Sequence, residues 1–340
     1  MKLLLEDLDY LAIGATVLGS GGGGDPSADL LLVKDIFEES GPMEMVSVDQ
    51  IPDEASIITA GYIGAPLVSA EKLSSYGEWK RAEELLNKKI WGVAPAEIGG
   101  SNALSAIIAA SECGMRLIDA DTLGRAFPYV HISSCALYGI GPTPAAIVDG
   151  MLQGVVIHCG TAQILELLAR SVVTAMGSTA AGMLYPMTGR QAKKALLPGS
   201  ISQAVDLGKS LSNSSLEQFV HSCGAKIVGR GVIVDIIQHI EEGFLKGEVV
   251  IQDGENRIFI DLQNEYLVVR SKDKILGTTP DIIVVIDSNS MKPIASDQVR
   301  YGLSVVVVML PAPSIWKSEE GLLMTAPRAF GYNIEPVVIV

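Results

Sequence analysis

The stretch from Lys89 to Ala120, KIWGVAPAEIGGSNALSAIIAASECGMRLIDA, decides the fold class. Lys89 to Ala94 is a short apolar run of strand character, and Arg116 to Ala120 is another. Between them, Asn102 to Cys113 reads as a helix of small residues. Strands interleaved with helices build a layered sheet with helices on its faces. The segment Glu97-Ile98-Gly99-Gly100-Ser101-Asn102 sits where the first strand gives way to the helix. Glu97 could reach a substrate proton there, while Asn102 and the N–H groups of Gly99 and Gly100 could stabilise developing negative charge. Ser101 or Asn102 could equally do no more than cap the helix.

The same alternation extends outward. Leu4, Leu5, Leu8, Leu11, Ala12 and Ala15 recur at helical spacing, and the run stops at Gly19. Further helices are predicted over Ser27 to Glu39, Ala70 to Asn87, Ile164 to Met176 and near Ile201 to Val220. Strands are predicted over Met43 to Val48, Ser56 to Ala60, His131 to Leu137 and Val155 to Cys159. After about Ser222 the texture becomes β-rich. Ala225 to Gln238, Gly247 to Ile251, Arg257 to Leu262, Glu265 to Arg270, Ile282 to Asp287 and Leu303 to Leu310 are short strand-like runs. Turn signals at Gln252-Asp253-Gly254-Glu255-Asn256 and Asp287-Ser288-Asn289-Ser290 punctuate them, which suits a small barrel or sandwich. The expected organisation is an α/β N-terminal domain over 1–165 and a C-terminal domain over 166–340, the latter containing a β-rich, barrel-like module at about 223–310.

Composition narrows the function. Hydrophobic residues make up 48% of the 340 and charged ones 19%, so the chain is too apolar to be disordered. Aromatics are only 5%, so the core is aliphatic. Acidic residues outnumber basic ones 39 to 25, a net charge of −14 with no Lys/Arg cluster, which argues against a nucleic-acid partner or an anionic membrane surface. Glu6, Asp7 and Asp9 interrupt the apolar N-terminus, so no signal peptide is expected. Apolar runs such as Val305 to Leu310 fall well short of the roughly 20 residues of a spanning helix. Cys113, Cys135, Cys159 and Cys223 are scattered without CxxC spacing and read as reduced thiols of a cytoplasmic protein.

Four further motifs invite chemistry. Gly19, Gly21 and Gly24 satisfy G-x-G-x-x-G, and Gly21, Gly22, Gly23 and Gly24 with Asp25 could form an anion-binding nest. A helix rather than a strand precedes the loop, and no Gly-Lys-Ser/Thr follows, so neither NAD nor a Walker-type nucleotide site is expected. The alternative is a strained helix–helix connection. Asp119-Ala120-Asp121 with Arg125 ends a strand, where ligand-facing residues of α/β sheets gather. If the strand runs through Asp121, both carboxylates share a face. They could hold a divalent cation or divide base and acid roles, with Arg125 clamping a carboxylate. Otherwise Asp121 caps a helix and Arg125 sits in a structural ion pair. Glu71 is a weaker candidate of the same kind. Arg328, in Pro327-Arg328-Ala329-Phe330-Gly331-Tyr332, could return to a site, or the segment could close the fold with Phe330 buried. His131, His158, His221 and His239 form no zinc motif, and His158 and Cys159 are expected in the core.

Taken in order, the glycine loop, Gly64-Ala65-Pro66 with Glu71-Lys72, the Glu97 to Asn102 segment, Asp119 to Pro128 and Pro327 to Tyr332 resemble the S-methyl thiohydantoin desulfurase family, formerly a family of unknown function. The likeness spans essentially the whole chain. It implies a three-layer α/β domain joined to a smaller β-barrel domain, and a setting similar to that of hydantoinase and oxoprolinase systems. Five-membered cyclic ureides and thio-ureides are then the expected substrates, with water replacing methylthiolate. In that reaction Glu97 or Asp121 would be general base aided by Asp119, a divalent metal could sit on Asp119 and Asp121, and no NAD is required. Gly21 to Gly24, Asp25, Glu71, Asn102, Arg125 and Arg328 would bind substrate. The alternative is a non-catalytic ligand-binding subunit of a hydantoinase-like or oxoprolinase-like complex. A homo-oligomer or a hydantoinase-like partner is compatible with either.

Overall fold

The computed structural model describes residues 1–65, 76–272 and 274–339. The N-terminal part begins with β1 (Lys2–Leu3), α1 (Leu8–Leu18), α2 (Ser27–Ser40), β2 (Met43–Val46) and β3 (Ser56–Gly64). It continues through α3 (Glu78–Leu86), β4 (Gly92–Pro95), α4 (Gly100–Cys113), β5 (Arg116–Ile118) and β6 (Ala120–Asp121). A short α5 (Ser134–Leu137) then leads to β7 (Ala145–Val148), β8 (Gly154–Ile157), α6 (Ala162–Ala175) and β9 (Thr179–Thr188). Last come α7 (Gly189–Ala195), β10 (Leu197–Pro198), α8 (Ser200–Asn213) and α9 (Leu216–Ser222).

Eight of these strands form one mixed sheet in the order β1-β2-β5-β4-β3-β9-β7-β8. The pairings of β2, β5, β4 and β3 are parallel, and β9 joins antiparallel to β3 and β7. Successive side chains of a strand point to opposite faces. Ile58, Val93, Leu117 and Met183 accordingly enter a core shared with α1, α2, α4 and α8, while Ile57, Ala94, Ile118 and Leu184 enter another shared with α6 and α7. Helices therefore cover both faces of the sheet. Parallel strands buried on both faces carry continuous apolar runs.

The C-terminal part is a separate eight-stranded antiparallel sheet. Its strands are β11 (Lys226–Glu241), β12 (Phe244–Asp253), β13 (Asn256–Gln263), β14 (Glu265–Ser271), β15 (Ile275–Thr278), β16 (Ile282–Asp287), β17 (Pro293–Ile294) and β18 (Ser304–Leu310). They lie in the order β15-β14-β13-β12-β11-β18-β16-β17. One face surrounds a single cluster that includes Ile233, Val249, Ile260, Tyr266, Val285 and Val307. The other face of β16 and β18 packs Val284, Ile286, Val306 and Val308 into the core of α1 and α8, so those helices lie between the sheets. The expected barrel is an open sheet here: among the described residues no pairing joins β15 to β17.

Some local expectations are corrected. His131 to Leu137 is not a strand, because the Ser133 hydroxyl accepts the Cys135 N–H at 3.1 Å and starts α5. His158 is exposed and Cys159 half-buried, since β8 is an edge strand that ends at Ile157. β9 lies C-terminal to residue 165 yet near the middle of the first sheet. Its pattern is masked by Gly182 and by Tyr185-Pro186, which bulge out where the pairing skips from Ile57↔Met187 to Thr59↔Leu184. Among the described residues no helix is long and apolar enough to cross a membrane.

Candidate active site

Strands β3, β4 and β5 run parallel, so their C-terminal ends lie side by side, the usual place for a ligand crevice in such sheets. A cavity of about 470 Å³ opens there, within the range of small-molecule sites. Glu97 and Asn102 border it from the β4–α4 junction, Gly23 and Gly24 from the glycine loop, and Phe127 to Val130 from the segment after β6. Asn264 and Glu265 reach it from the second sheet. Both halves of the molecule thus contribute walls.

The glycine loop is built into this junction. Ser20 accepts the Tyr266 N–H at 2.6 Å, and its hydroxyl accepts the Ile283 N–H at 3.0 Å. Gly21 accepts the Ser296 N–H at 2.8 Å, and Gly23 accepts the Ser101 N–H at 2.9 Å. A Cβ on Gly22 would lie 1.9 Å from the Glu265 carboxylate, and one on Gly21 would lie 2.6 Å from the Tyr266 ring at an unfavourable φ of +89°. Gly21 and Gly22 are without side chains because Tyr266 and Glu265 occupy the space, whereas a Cβ on Gly23 would meet the Gly99 carbonyl at 2.3 Å. Asp25 lines the cavity and accepts from Ser27 N–H at 3.0 Å and from Gln298 Nε2 at 2.5 Å, tying the start of α2 to the second half.

Glu97 is 8% exposed. Its Oε1 accepts from Asn102 Nδ2 at 2.7 Å and its Oε2 from the Phe127 N–H at 3.2 Å. Asn102 Oδ1 in turn accepts the Tyr62 N–H at 2.6 Å, which fixes the amide's orientation. Burial pushes the Glu97 carboxyl up to about 7, against the pull of the Asn102 and Phe127 donors and with a further push from Asp121. Glu97 therefore stands near its midpoint at neutral pH, where a general base is most effective.

Glu265 opens β14 and is 2% exposed. Its Oε2 has no hydrogen-bond partner among the described residues. Burial raises this carboxyl well above the usual range, the Glu97 charge raises it further, and Arg125 opposes both. No sequence motif marks this residue. The legible signal is a lone carboxylate in phase with Leu267 on an apolar strand. Arg170, also missed, borders the cavity as well; it pairs with Glu166 at 2.9 Å and donates to the Pro128 carbonyl at 3.1 Å.

The other sequence candidates lie away from the cavity wall. Asp121 is fully buried and accepts from the Ile98 N–H at 2.9 Å, the Gly124 N–H at 2.8 Å and the Ser200 hydroxyl at 2.6 Å. Burial pushes it up to about 6 against those donors. Asp119 caps α8 by accepting from Ile201 N–H at 2.9 Å, Ser202 N–H at 3.1 Å and the Ser202 hydroxyl at 2.5 Å. A divalent cation needs oxygens free of donor hydrogens, so this pair does not fit one. Among the described residues no group of three or more His, Cys, Asp or Glu could hold a metal.

Arg125 is fully buried behind the wall. It donates to the carbonyls of Ala126 at 2.8 Å and Asp281 at 2.9 Å, and to that of Pro280, and lies 4.1 Å from the Phe127 ring centre. Burial lowers it to about 10, while Glu265, Asp281 and Glu97 support its charge. Arg328 is on the surface, paired with Glu335. Its neighbour Phe330 is buried, stacked 6.3 Å from Phe127 and 5.9 Å from Tyr129, so that motif braces the wall from behind. Glu71, with Pro66 and Lys72, lies outside the described residues.

Comparison with known proteins agrees with the architecture. A crystal structure of a protein from Chromobacterium violaceum superposes with a TM-score of 0.86 at 22% identity, covering 100% of each chain. No curated protein matches. The family model described as S-Me-THD-like, N-terminal domain, matches residues 6–158, and its companion, the S-Me-THD-like C-terminal domain, matches residues 160–339. The chain belongs to the S-Me-THD-like family, the S-methyl thiohydantoin desulfurase family that its ordered motifs resemble.

Proposed function

We propose that the protein hydrolyses five-membered cyclic thio-ureides of the S-methyl thiohydantoin type, releasing methanethiol and leaving the hydantoin. The observation that carries this reading is the pair of buried carboxyls, Glu97 and Glu265, on one cavity and from different halves of the chain. Environments that hold two carboxyls in different protonation states assign base and acid. Both Glu97 oxygens face N–H donors, which favours its ionised form, whereas Glu265 Oε2 has no donor among the described residues and the group keeps its proton.

Glu97 takes a proton from water as the oxygen attacks the ring carbon that bears sulfur. Glu265 gives its proton to the adjacent ring nitrogen, so the electrons of the C=N bond settle there. The carbon–sulfur bond then breaks, methylthiolate takes the proton held by Glu97, and the new hydroxyl returns its proton to Glu265. Both carboxyls end as they began, and one water has become the hydantoin oxygen, one N–H and one S–H. Asn102 holds Glu97 in register, and Asp119, Asp121 and Arg125 position the segments around them.

Purified protein incubated with S-methyl thiohydantoins should release thiol. Glu97→Gln should lower turnover by roughly 10²–10⁴, the usual worth of a positioned general base. A protein that binds these rings and releases no thiol would instead be a ligand-binding subunit, the competing reading.

A further inference from the structure

Glu265 Oε2 is buried, borders the cavity and lacks a hydrogen-bond partner among the described residues. A buried polar atom without a partner calls for an explanation, and on a cavity wall a bound ligand or water supplies one. Beside it stands Glu97, each of whose oxygens accepts a single N–H and keeps a second lone pair. Asp25 and Asp29 border the same space, and Arg170 is the one basic side chain on the wall among the described residues. Its charge is already matched by Glu166 at 2.9 Å. Arg125 lies behind the wall: its Nε and Nη1 donate to backbone carbonyls, while among the described residues its Nη2 has no hydrogen-bond partner and no carboxylate lies within ion-pair distance. Among the described residues the wall therefore carries more acidic than basic side chains and, at Glu265 Oε2, a buried oxygen still open to a partner.

We propose that the site holds its substrate as a ring amidine in cationic form: Glu265 passes its proton to the bare ring nitrogen, and the two ring N–H groups flanking the central carbon then donate to the carboxylates of Glu97 and Glu265. It excludes rings whose substituents carry a carboxylate. The inference rests on the desulfurase reading and narrows it. In an S-methyl isothiourea ring the carbon bearing sulfur lies between two nitrogens, and a proton added to the bare one makes that carbon more electrophilic. A carboxylate–amidinium pair is a charge-assisted hydrogen bond, stronger than one to a neutral ring. The oxo product is neutral, so it is held more weakly and leaves.

Calorimetric binding to the intact protein tests this without turnover, with 2-aminoimidazoline as cationic probe and imidazolidin-2-one as its neutral isostere. The cation should bind at least about tenfold more tightly, a difference of one decade in Kd. Glu265→Gln should erase most of that preference, and hydantoin-5-acetate should bind more weakly than hydantoin. Equal binding of cation and neutral ring by the wild-type protein would overturn the proposal, as would tighter binding of the carboxylate-bearing ring. Thiol release is assayed separately. Cation preference without thiol release overturns the desulfurase reading and keeps the recognition, whereas thiol release without cation preference does the reverse.

Discussion

Glu97 and Glu265 begin with the same ordinary acidity and are driven apart by what touches them. Burial raises both, and donors from Asn102 and Phe127 restrain only Glu97. Turnover should therefore rise as pH passes about 7, where Glu97 ionises, and fall again at higher pH as Glu265 loses its proton. Glu265→Gln should remove the alkaline fall together with most activity, which a pH–rate profile of thiol release checks. Stability follows the same shift. The folded state prefers protonated Glu265, so its contribution is full below the unfolded carboxyl pKa and is lost as pH rises through the raised folded value. The melting temperature of Glu265→Gln should gain on the wild type as pH increases, and a constant difference would contradict this. Glu97 and Asn102 were legible in the sequence because one strand–helix junction holds both. Glu265 was not, because its partners come from segments far along the chain.

The elements explain why a motif could be read and its role still missed. Four consecutive glycines announce a tight loop, yet the reason for Gly22 is the Glu265 carboxylate lying where a Cβ would go. Gly22→Ala should cost about 1–3 kcal/mol by overpacking and should lower thiol release as well, since Glu265 must move. Asp119 and Asp121 were visible as a carboxylate pair at a strand end. Their partners, Ser200, Ile201 and Ser202, belong to a helix that the sequence indicated without its capping. Asp119→Ala should cost about 0.5–2 kcal/mol in chemical denaturation, as for a lost helix cap. It should leave the pH profile of the folded enzyme unchanged. A shifted acid or alkaline limb would return Asp119 to the chemistry. Six of the eight strands of the second sheet were legible from their own alternation and turns; β15 and β17, only four and two residues long, were not, and β9 was hidden by its bulge and buried surroundings.

At the scale of the molecule the site exists only where the halves meet, so their coupling should be measurable. The glycine loop is hydrogen-bonded to Tyr266 and Ser296, Trp316 donates to Leu123 at 2.6 Å, and Arg125 grips the Pro280 and Asp281 carbonyls. Val284 and Val308 of the second sheet share a core with α1 and α8 of the first half. Contacts this extensive favour one cooperative transition, and coincidence of independent probes is its test. Far-UV circular dichroism and tryptophan fluorescence should therefore give superimposable urea curves, because Trp79 and Trp91 report the first half and Trp316 the junction. Two separated transitions would show that the halves fold independently. Arg125→Met sharpens the experiment. It removes a buried cation whose charge faces Glu97 and Glu265 and leaves the Ala126, Pro280 and Asp281 carbonyls without their donor. A loss of about 1.5–3 kcal/mol is expected for each charge-assisted hydrogen bond removed. Both carboxyls would rise further without the nearby cation, so the acid limb of the surviving activity should move to higher pH. Loss of stability with an unmoved acid limb would confine Arg125 to joining the halves.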